Sequence, residues 1–261
     1  GRHFERLEDV DRREAERESA LHRARAALAE VDADLSAGRR ARALDALLRL
    51  KGQARMDPEM RRHVENLLAD LEARRPRGRI ALSLASARDA LTVAADLPVR
   101  IGRAEDSILP LRDPGVSRHH ARISVEAGRF VLEDLGSRNG TFVDGLLLGA
   151  PLTVEGALRI GLGERCEIEV APLGVTGLLL RVEKGLSAGA LALLLAGPVD
   201  LAELEGLDLD ARLAERSGWF VLTPSGPARL EGRELPAGTS IEVLVDDRIT
   251  VGEALFEVRR G

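Results

Sequence analysis

The spacing of apolar residues changes once along this chain, and the change separates two kinds of structure. Up to Leu71 apolar residues recur every three or four positions; beyond Arg75-Pro76-Arg77-Gly78 they come in short runs between turns bearing Gly and Pro. The first pattern lines one face of a helix, and the second belongs to an all-β sandwich. Leu21, Ala24, Leu28, Val31 and Leu35 mark one helix, with Gly38 as its stop. Ala41, Leu44, Leu47 and Leu48 mark a second. Met60, Val64, Leu67, Leu68 and Leu71 mark a third, announced by Asp57 as N-cap and Pro58 at the first helical position. Arg12 to Glu18 is charged enough to be a solvated extension.

The strands expected beyond the break are Arg79–Leu84, Pro98–Gly102, Ala121–Val125, Arg129–Glu133, Thr141–Val143 and Arg165–Val170, with Pro172-Leu173-Gly174 as a linker to a second β-rich segment. The reading is therefore a helical region over 1–75, a sandwich over 76–171 and a second over 175–261. Residues 1–75 carry 17 Lys+Arg against 16 Asp+Glu, and the rest 21 against 27. No segment is strongly basic and only 2% of residues are aromatic, which argues against a nucleic-acid partner. The longest apolar run, Ala190–Ala196, is far shorter than the roughly 20 residues a membrane-spanning helix needs. Cys166 is the single cysteine, so an internal disulfide and a cysteine metal site are excluded. No metal or cofactor is expected, and the expected location is the cytoplasm. The chain opens Gly1-Arg2-His3 without Met and is read as a fragment, which leaves open what precedes it. Arg outnumbers Lys 36 to 2, which fits coding in a GC-rich bacterium.

Three short motifs fall between the strands: Gly102-Arg103, Ser117-Arg118-His119-His120, and Ser137-Arg138-Asn139-Gly140-Thr141, the last followed by Val143-Asp144-Gly145. In order and spacing, residues 79–170 resemble the forkhead-associated (FHA) family. The resemblance implies a β-sandwich whose loops at one end bind phosphothreonine. Such a group carries about −1.5 to −2 charge and three acceptor oxygens. Arg103 can offer two of those oxygens a planar fork of donors, and Ser117 can offer a hydroxyl. Arg118, Ser137 and Arg138 are the other expected contacts, with Arg118 and Arg138 adding positive potential and backbone N–H groups. Asn139 has a side-chain amide able to hold the ligand's backbone, as the resemblance implies. Gly102, His120, Gly140 and Thr141 are expected to support the site, with His120 bracing the loop that carries Ser117. Asp144 stands where the family often has Asn.

The helices around Gly38 faintly resemble a tetratricopeptide pair, although a small helical hairpin bundle is the preferred reading. Leu21–Leu35 also fit about two heptads, so dimerisation through this region is an alternative.

The second β segment, 177–258, reads as a degraded copy of the first. Arg79–Arg103 align with Leu179–Glu203 at an offset of 100, and Gly128-Arg129-Phe130 with Gly218-Trp219-Phe220 at 90. Gly102-Arg103 becomes Ala202-Glu203, and the turn beginning at Ser137 becomes Pro224-Ser225-Gly226-Pro227-Ala228. The copy is expected to keep the sandwich and lose phosphate binding. Gly185-Leu186-Ser187-Ala188-Gly189 fits the G-x-S-x-G nucleophile pattern. The repeat, however, places it in a turn between strands, and no His follows it. Residues 85–89 are its equivalent in the first copy. Glu133, Asp134 and Asp144 read as solvated loop charges. No residue is assigned a catalytic role. The expected function is a phosphothreonine-dependent adaptor whose partner is a substrate of a Ser/Thr kinase, or the kinase itself. The alternative is a phosphate-independent scaffold in a larger, membrane-associated complex.

Overall fold

The computed structural model describes residues 2–53, 56–84, 90–204 and 209–261, with backbone only over 2–11. The turn at 85–89 lies outside the described residues. The chain divides into Gly1–Arg75 and Pro76–Gly261.

The first unit is three helices, α1 (Arg2–Ser36), α2 (Arg40–Lys51) and α3 (Pro58–Arg74). Gly38, at φ 81°, ends the first connection. The Asp57 side chain accepts from the N–H groups of Glu59 and Met60 at 3.0 and 2.9 Å, as an N-cap should. Among the described residues of this unit the buried apolar side chains are Ala24, Val31, Ala43, Leu47, Leu50, Val64, Leu68 and Leu71. The face of α2 is thus rotated from the expected one: Leu48 is exposed, and Ala43 and Leu50 take the inner positions. Asp34, at 5% exposure, receives Arg39 at 2.7 Å and Arg42 at 3.0 Å.

The second unit opens with a hairpin, β1 (Arg79–Leu84) and β2 (Leu91–Ala94). There follow β3 (Val99–Gly102), β4 (Leu109–Pro110), β5 (Ala121–Glu126), β6 (Arg129–Asp134), β7 (Thr141–Val143), β8 (Leu146–Leu147), β9 (Leu152–Thr153), β10 (Leu158–Leu162) and β11 (Cys166–Leu173). A second long hairpin is β12 (Gly177–Lys184) with β13 (Leu191–Leu195). The remaining strands are β14 (Val199–Asp200), β15 (Ala211–Arg216), β16 (Trp219–Pro224), β17 (Ala228–Leu230), β18 (Arg233–Leu235), β19 (Ile241–Glu242), β20 (Arg248–Val251) and β21 (Ala254–Arg260).

Strand order repeats between the two halves. A five-stranded sheet β4-β3-β5-β6-β9 in the first half corresponds to β14-β15-β16-β19 in the second. The Ile123↔Leu132 and Leu213↔Leu222 pairs carry the offset of 90 through both hairpins. The β1/β12 hairpins keep the offset of 100 only on their first strands. Ile80 pairs with Val93 while Leu180 pairs with Ala192, so the second hairpin is one residue shorter.

The cores partition differently from the linear order. A twelve-stranded sheet runs β18-β17-β20-β21-β1-β2-β13-β12-β11-β10-β7-β8. The edge of β11 is therefore closed by β12, from the second half, while β1 closes β21 at the far end of the chain. The two hairpins have traded places. Leu178, Leu180, Val182, Ala192 and Leu194 join the core built by residues 94–170, and Ile80, Leu82, Leu84, Leu91 and Val93 join the core of residues 199–258. The two halves of this sheet meet where β2 and β13 run parallel, from Leu91↔Leu191 to Ala94↔Leu194. There Leu193 and Leu195 face one core while Ala192 and Leu194 face the other. Burial on both faces explains why 192–195, the centre of the apolar run, does not alternate.

Leu180→Ala should cost about 2–5 kcal/mol as a buried large-to-small change, and it should lower hydrogen-exchange protection in β5, β6 and β10. Leu82→Ala should do the same to β15, β16 and β20. If each substitution loosened its own half of the chain instead, the trade of hairpins would be wrong.

Candidate phosphopeptide site

Three connections meet at one end of the first sandwich: Arg103–Ile108 after β3, Leu111–His120 after β4, and Leu135–Gly140 after β6. They are tied by backbone first. The Arg103 and Ala104 N–H groups donate to the Ser117 and Arg118 carbonyls, each at 3.0 Å. A Cβ at Gly102 would run into the Arg118 carbonyl, so a side chain at this position would push the two loops apart. The Arg103 Nε then donates to the Val116 carbonyl at 2.7 Å, which lays the guanidinium against the loop that carries Ser117.

His120 locks the second loop to the third. It is fully buried; its Nδ1 accepts from the Ser117 N–H at 3.1 Å, and its Nε2 lies 3.0 Å from the Gly140 carbonyl. These partners fix the tautomer: neutral, with the proton on Nε2. Burial pushes its pKa below the ordinary 6.5, against the opposing pull of the Gly140 carbonyl and of Asp134. The Ser117 hydroxyl accepts from the Arg138 N–H at 3.0 Å. An oxygen used as an acceptor keeps its own proton to donate elsewhere. The Asn139 amide nitrogen donates to the Gly115 carbonyl at 2.8 Å.

The third loop is wrapped around a residue that sequence reasoning took for a solvated charge. The half-buried Asp134 accepts from the Gly136 and Ser137 N–H groups, both at 2.8 Å, from the Ser137 hydroxyl at 2.7 Å and from the Thr141 hydroxyl at 2.6 Å. Burial alone would raise its pKa, but the bonds from Thr141 and Ser137 outweigh this and hold it below 3.8. An Asp that accepts from the N–H two residues on forms an Asx turn, which Asp before a Gly-bearing turn permits but does not by itself announce. Ser137, expected to face a ligand, turns its hydroxyl inward to Asp134, and Thr141 is fully buried beside it. Glu133 is paired with Arg122. Asp144 takes φ 47° in the tight turn before Gly145, and its carboxylate accepts from the Arg159 N–H at 3.0 Å.

Arg103, Arg118, Ser117, Arg138 and Asn139 are thus brought to one end, and the three arginines are exposed. Among the described residues none of the three has a carboxylate partner. His119 lies apart, 3.3 Å from Asp106, which also receives Arg100 at 2.7 Å. Among the described residues no group of three His, Cys, Asp or Glu is placed to hold a metal. Cys166 is buried, and burial together with the nearby Asp113 charge pushes its thiol up to about 12, so it stays protonated. Gly185–Gly189 joins two antiparallel strands, so the strand-to-helix setting of a nucleophile elbow is absent there.

Residues 99–163 match the FHA domain family model. This segment is an FHA domain. It begins at β3 and ends just after β10. The chain is 40% identical over 84 residues to the FHA domain-containing protein FhaB of Mycobacterium tuberculosis, which is 32% of this chain and 46% of that protein. It is 53% identical over 47 residues to FhaB of Mycolicibacterium smegmatis, 18% of this chain and 30% of that one. The chain thus spans less than half the length of these curated relatives. Among solved structures, an FHA domain characterised for phosphothreonine-dependent interactions is 29% identical, with 33% of this chain and 88% of that chain covered and a TM-score of 0.26. FHA domains are binding modules. Among the described residues no helix is long and apolar enough to cross a membrane.

The site should carry a pH signature of its own. Below 6.5 an unfolded imidazole binds a proton that the folded His120 refuses. Stability should therefore be complete above 6.5 and fall as pH drops from there towards the lowered folded value, by at most about 1.4 kcal/mol per pH unit. Asp134 adds a second loss, below its ordinary 3.8. In denaturant titrations across pH, His120→Ala should be less stable at pH 7.5 and should lack the decline that begins near 6.5. An unchanged decline would assign it to another group.

Proposed function

We propose that this chain is a phosphothreonine-dependent protein-binding adaptor and not an enzyme, acting where a Ser/Thr kinase has modified a partner. One observation supports this most: Arg103 and Ser117 are drawn to the same loop segment. The guanidinium docks on the Val116 carbonyl, and the next residue is Ser117, whose oxygen receives the Arg138 N–H.

With Nε occupied, Arg103 keeps its terminal nitrogens for an anion, and Ser117 keeps its hydroxyl proton. Both can be spent on phosphate oxygens in charge-assisted bonds. Arg118 and Arg138 raise the local positive potential, which favours a doubly charged ester over a bare hydroxyl. Asn139, held by Gly115, leaves its amide oxygen and one N–H for the main chain beside the phosphorylated residue. Ser137, by contrast, acts through Asp134 to shape the loop.

In the second sandwich the position of Arg103 is held by Glu203, and the Asp200 carboxylate caps the Ala202 N–H at 3.1 Å. An acid there repels phosphate, so that half serves structure or docking. The named relatives are bacterial FHA domain proteins, which fits an adaptor in bacterial kinase signalling.

Calorimetry on the whole chain with a phosphothreonine peptide library and unphosphorylated twins tests the reading. Arg103→Ala should weaken phosphopeptide binding by about 2–5 kcal/mol, at least thirtyfold. Equal affinity of wild type for both members of a pair would end it and favour a phosphate-independent scaffold.

A further inference from the structure

The traded hairpin reaches the binding end through its turn. Gly185 and Gly189 sit at φ 111° and 95°, and between them the turn is closed by the Ala188 N–H on the Gly185 carbonyl. Two reciprocal hydrogen bonds join it to the loop after β4. The Leu186 N–H donates to the Asp113 carboxylate at 2.9 Å, and the Arg112 N–H donates to the Ser187 hydroxyl at 3.1 Å. Asp113 is only 4% exposed. A buried carboxylate must find donors, and the Leu186 N–H is one that the second half supplies. A Cβ at Gly185 would come within 2.5 Å of that same carboxylate, so the turn approaches as closely as it does because this residue has none.

Asp113 leads directly into the loop on which the site is built. Its carbonyl accepts from the Val116 N–H at 3.1 Å. The Gly115 carbonyl holds Asn139 and the Val116 carbonyl holds Arg103. The path from the turn to the two ligand-facing side chains is therefore a few hydrogen bonds long. It crosses from residues outside the matched FHA span into that span.

We propose that the Gly185–Ser187 turn positions the phosphothreonine site: through Asp113 and Arg112 it fixes the carbonyls that aim Asn139 and Arg103. This rests on the phosphothreonine reading above. It assigns the G-x-S-x-G pattern a role as a brace for a binding loop, with Ser187 as hydrogen-bond acceptor. It also makes the second half of the chain a determinant of affinity at a site that contains none of its residues.

The test uses the whole chain, with the tightest member of a phosphothreonine peptide library and its unphosphorylated twin. Ser187→Ala should weaken phosphopeptide binding about fivefold, the loss of one hydrogen bond, and Gly185→Ala more than about tenfold. Ser187→Thr, which keeps the hydroxyl, should bind within about twofold of wild type. Binding of the twin and the thermal midpoint of Ser187→Ala should stay at wild-type values, which separates positioning from general destabilisation. If Gly185→Ala fails to fold, Ser187→Ala and its threonine rescue decide the matter alone. If Arg103→Ala abolishes binding while Ser187→Ala and Gly185→Ala bind as wild type does, the phosphothreonine reading stands and the brace falls. If wild type does not distinguish the peptide from its twin, the reading fails and the brace goes with it.

Discussion

The free edge of β11 is the constraint on which the β unit depends. An unpaired edge presents a row of N–H and C=O groups that must be paired or hidden. A short turn at Gly174 delivers β12 to that edge at once, from Leu173↔Gly177 onward. A nearby strand closes a short loop, at smaller entropic cost than one recruited from the distant N-terminus. With that edge taken, β1–β2 is left to the edge of β21, and β2 meets β13 in parallel. The first core then comes from one stretch, 94–194, whereas the second needs both ends of the unit.

This geometry explains which parts of the sequence spoke clearly. Strand β1 alternates, Ile80-Leu82-Leu84 inward with their neighbours half-exposed, and such a period can be read directly. The capping Asp57 and the loop motifs were equally legible, because each works through local chemistry. The partners of β1 and β12 could not be read. Both hairpins carry a similar apolar face, so the pattern alone does not say which core each fills. Loop length and edge availability choose between them, and these are properties of the assembled sheet. The expected strands leave out β2, β4, β8, β9 and β10: β4, β8 and β9 have two residues each and no period, and β2 is buried at three of its four positions and does not alternate. In α2 the face was misjudged by a partial turn because Leu44, Leu47 and Leu48 outline a plausible stripe on their own. Packing against α1 and α3 selects Ala43, Leu47 and Leu50.

Where the three loops meet, the groups proposed to face a ligand are legible in the sequence and their supports are not. Arg103, Ser117 and Asn139 stand out by residue type. Asp134 does not, since a lone Asp after a strand is usually solvated. Its role appears only when four donors converge on it. The Val116 and Gly115 carbonyls are invisible to any reading of side chains, yet they aim Arg103 and Asn139.

The charges of the site are explained by this arrangement. Among the described residues the three arginines at this end have no carboxylate partner, so the loops bearing them are held by other groups. Asp134 holds the third loop from behind, its carboxylate spent on N–H and O–H groups. It anchors the loop while Arg138 stays available. His120 ties two loops while remaining neutral, so it adds no further positive charge behind the arginines and needs no counter-ion of its own. In the second sandwich Glu203 replaces the strand-end arginine. The fold tolerates that exchange because its cores are apolar and Glu203 is exposed outside them. Sandwich and site are separable in this way: the apolar faces specify the first, and a few buried hydrogen bonds at one end specify the second.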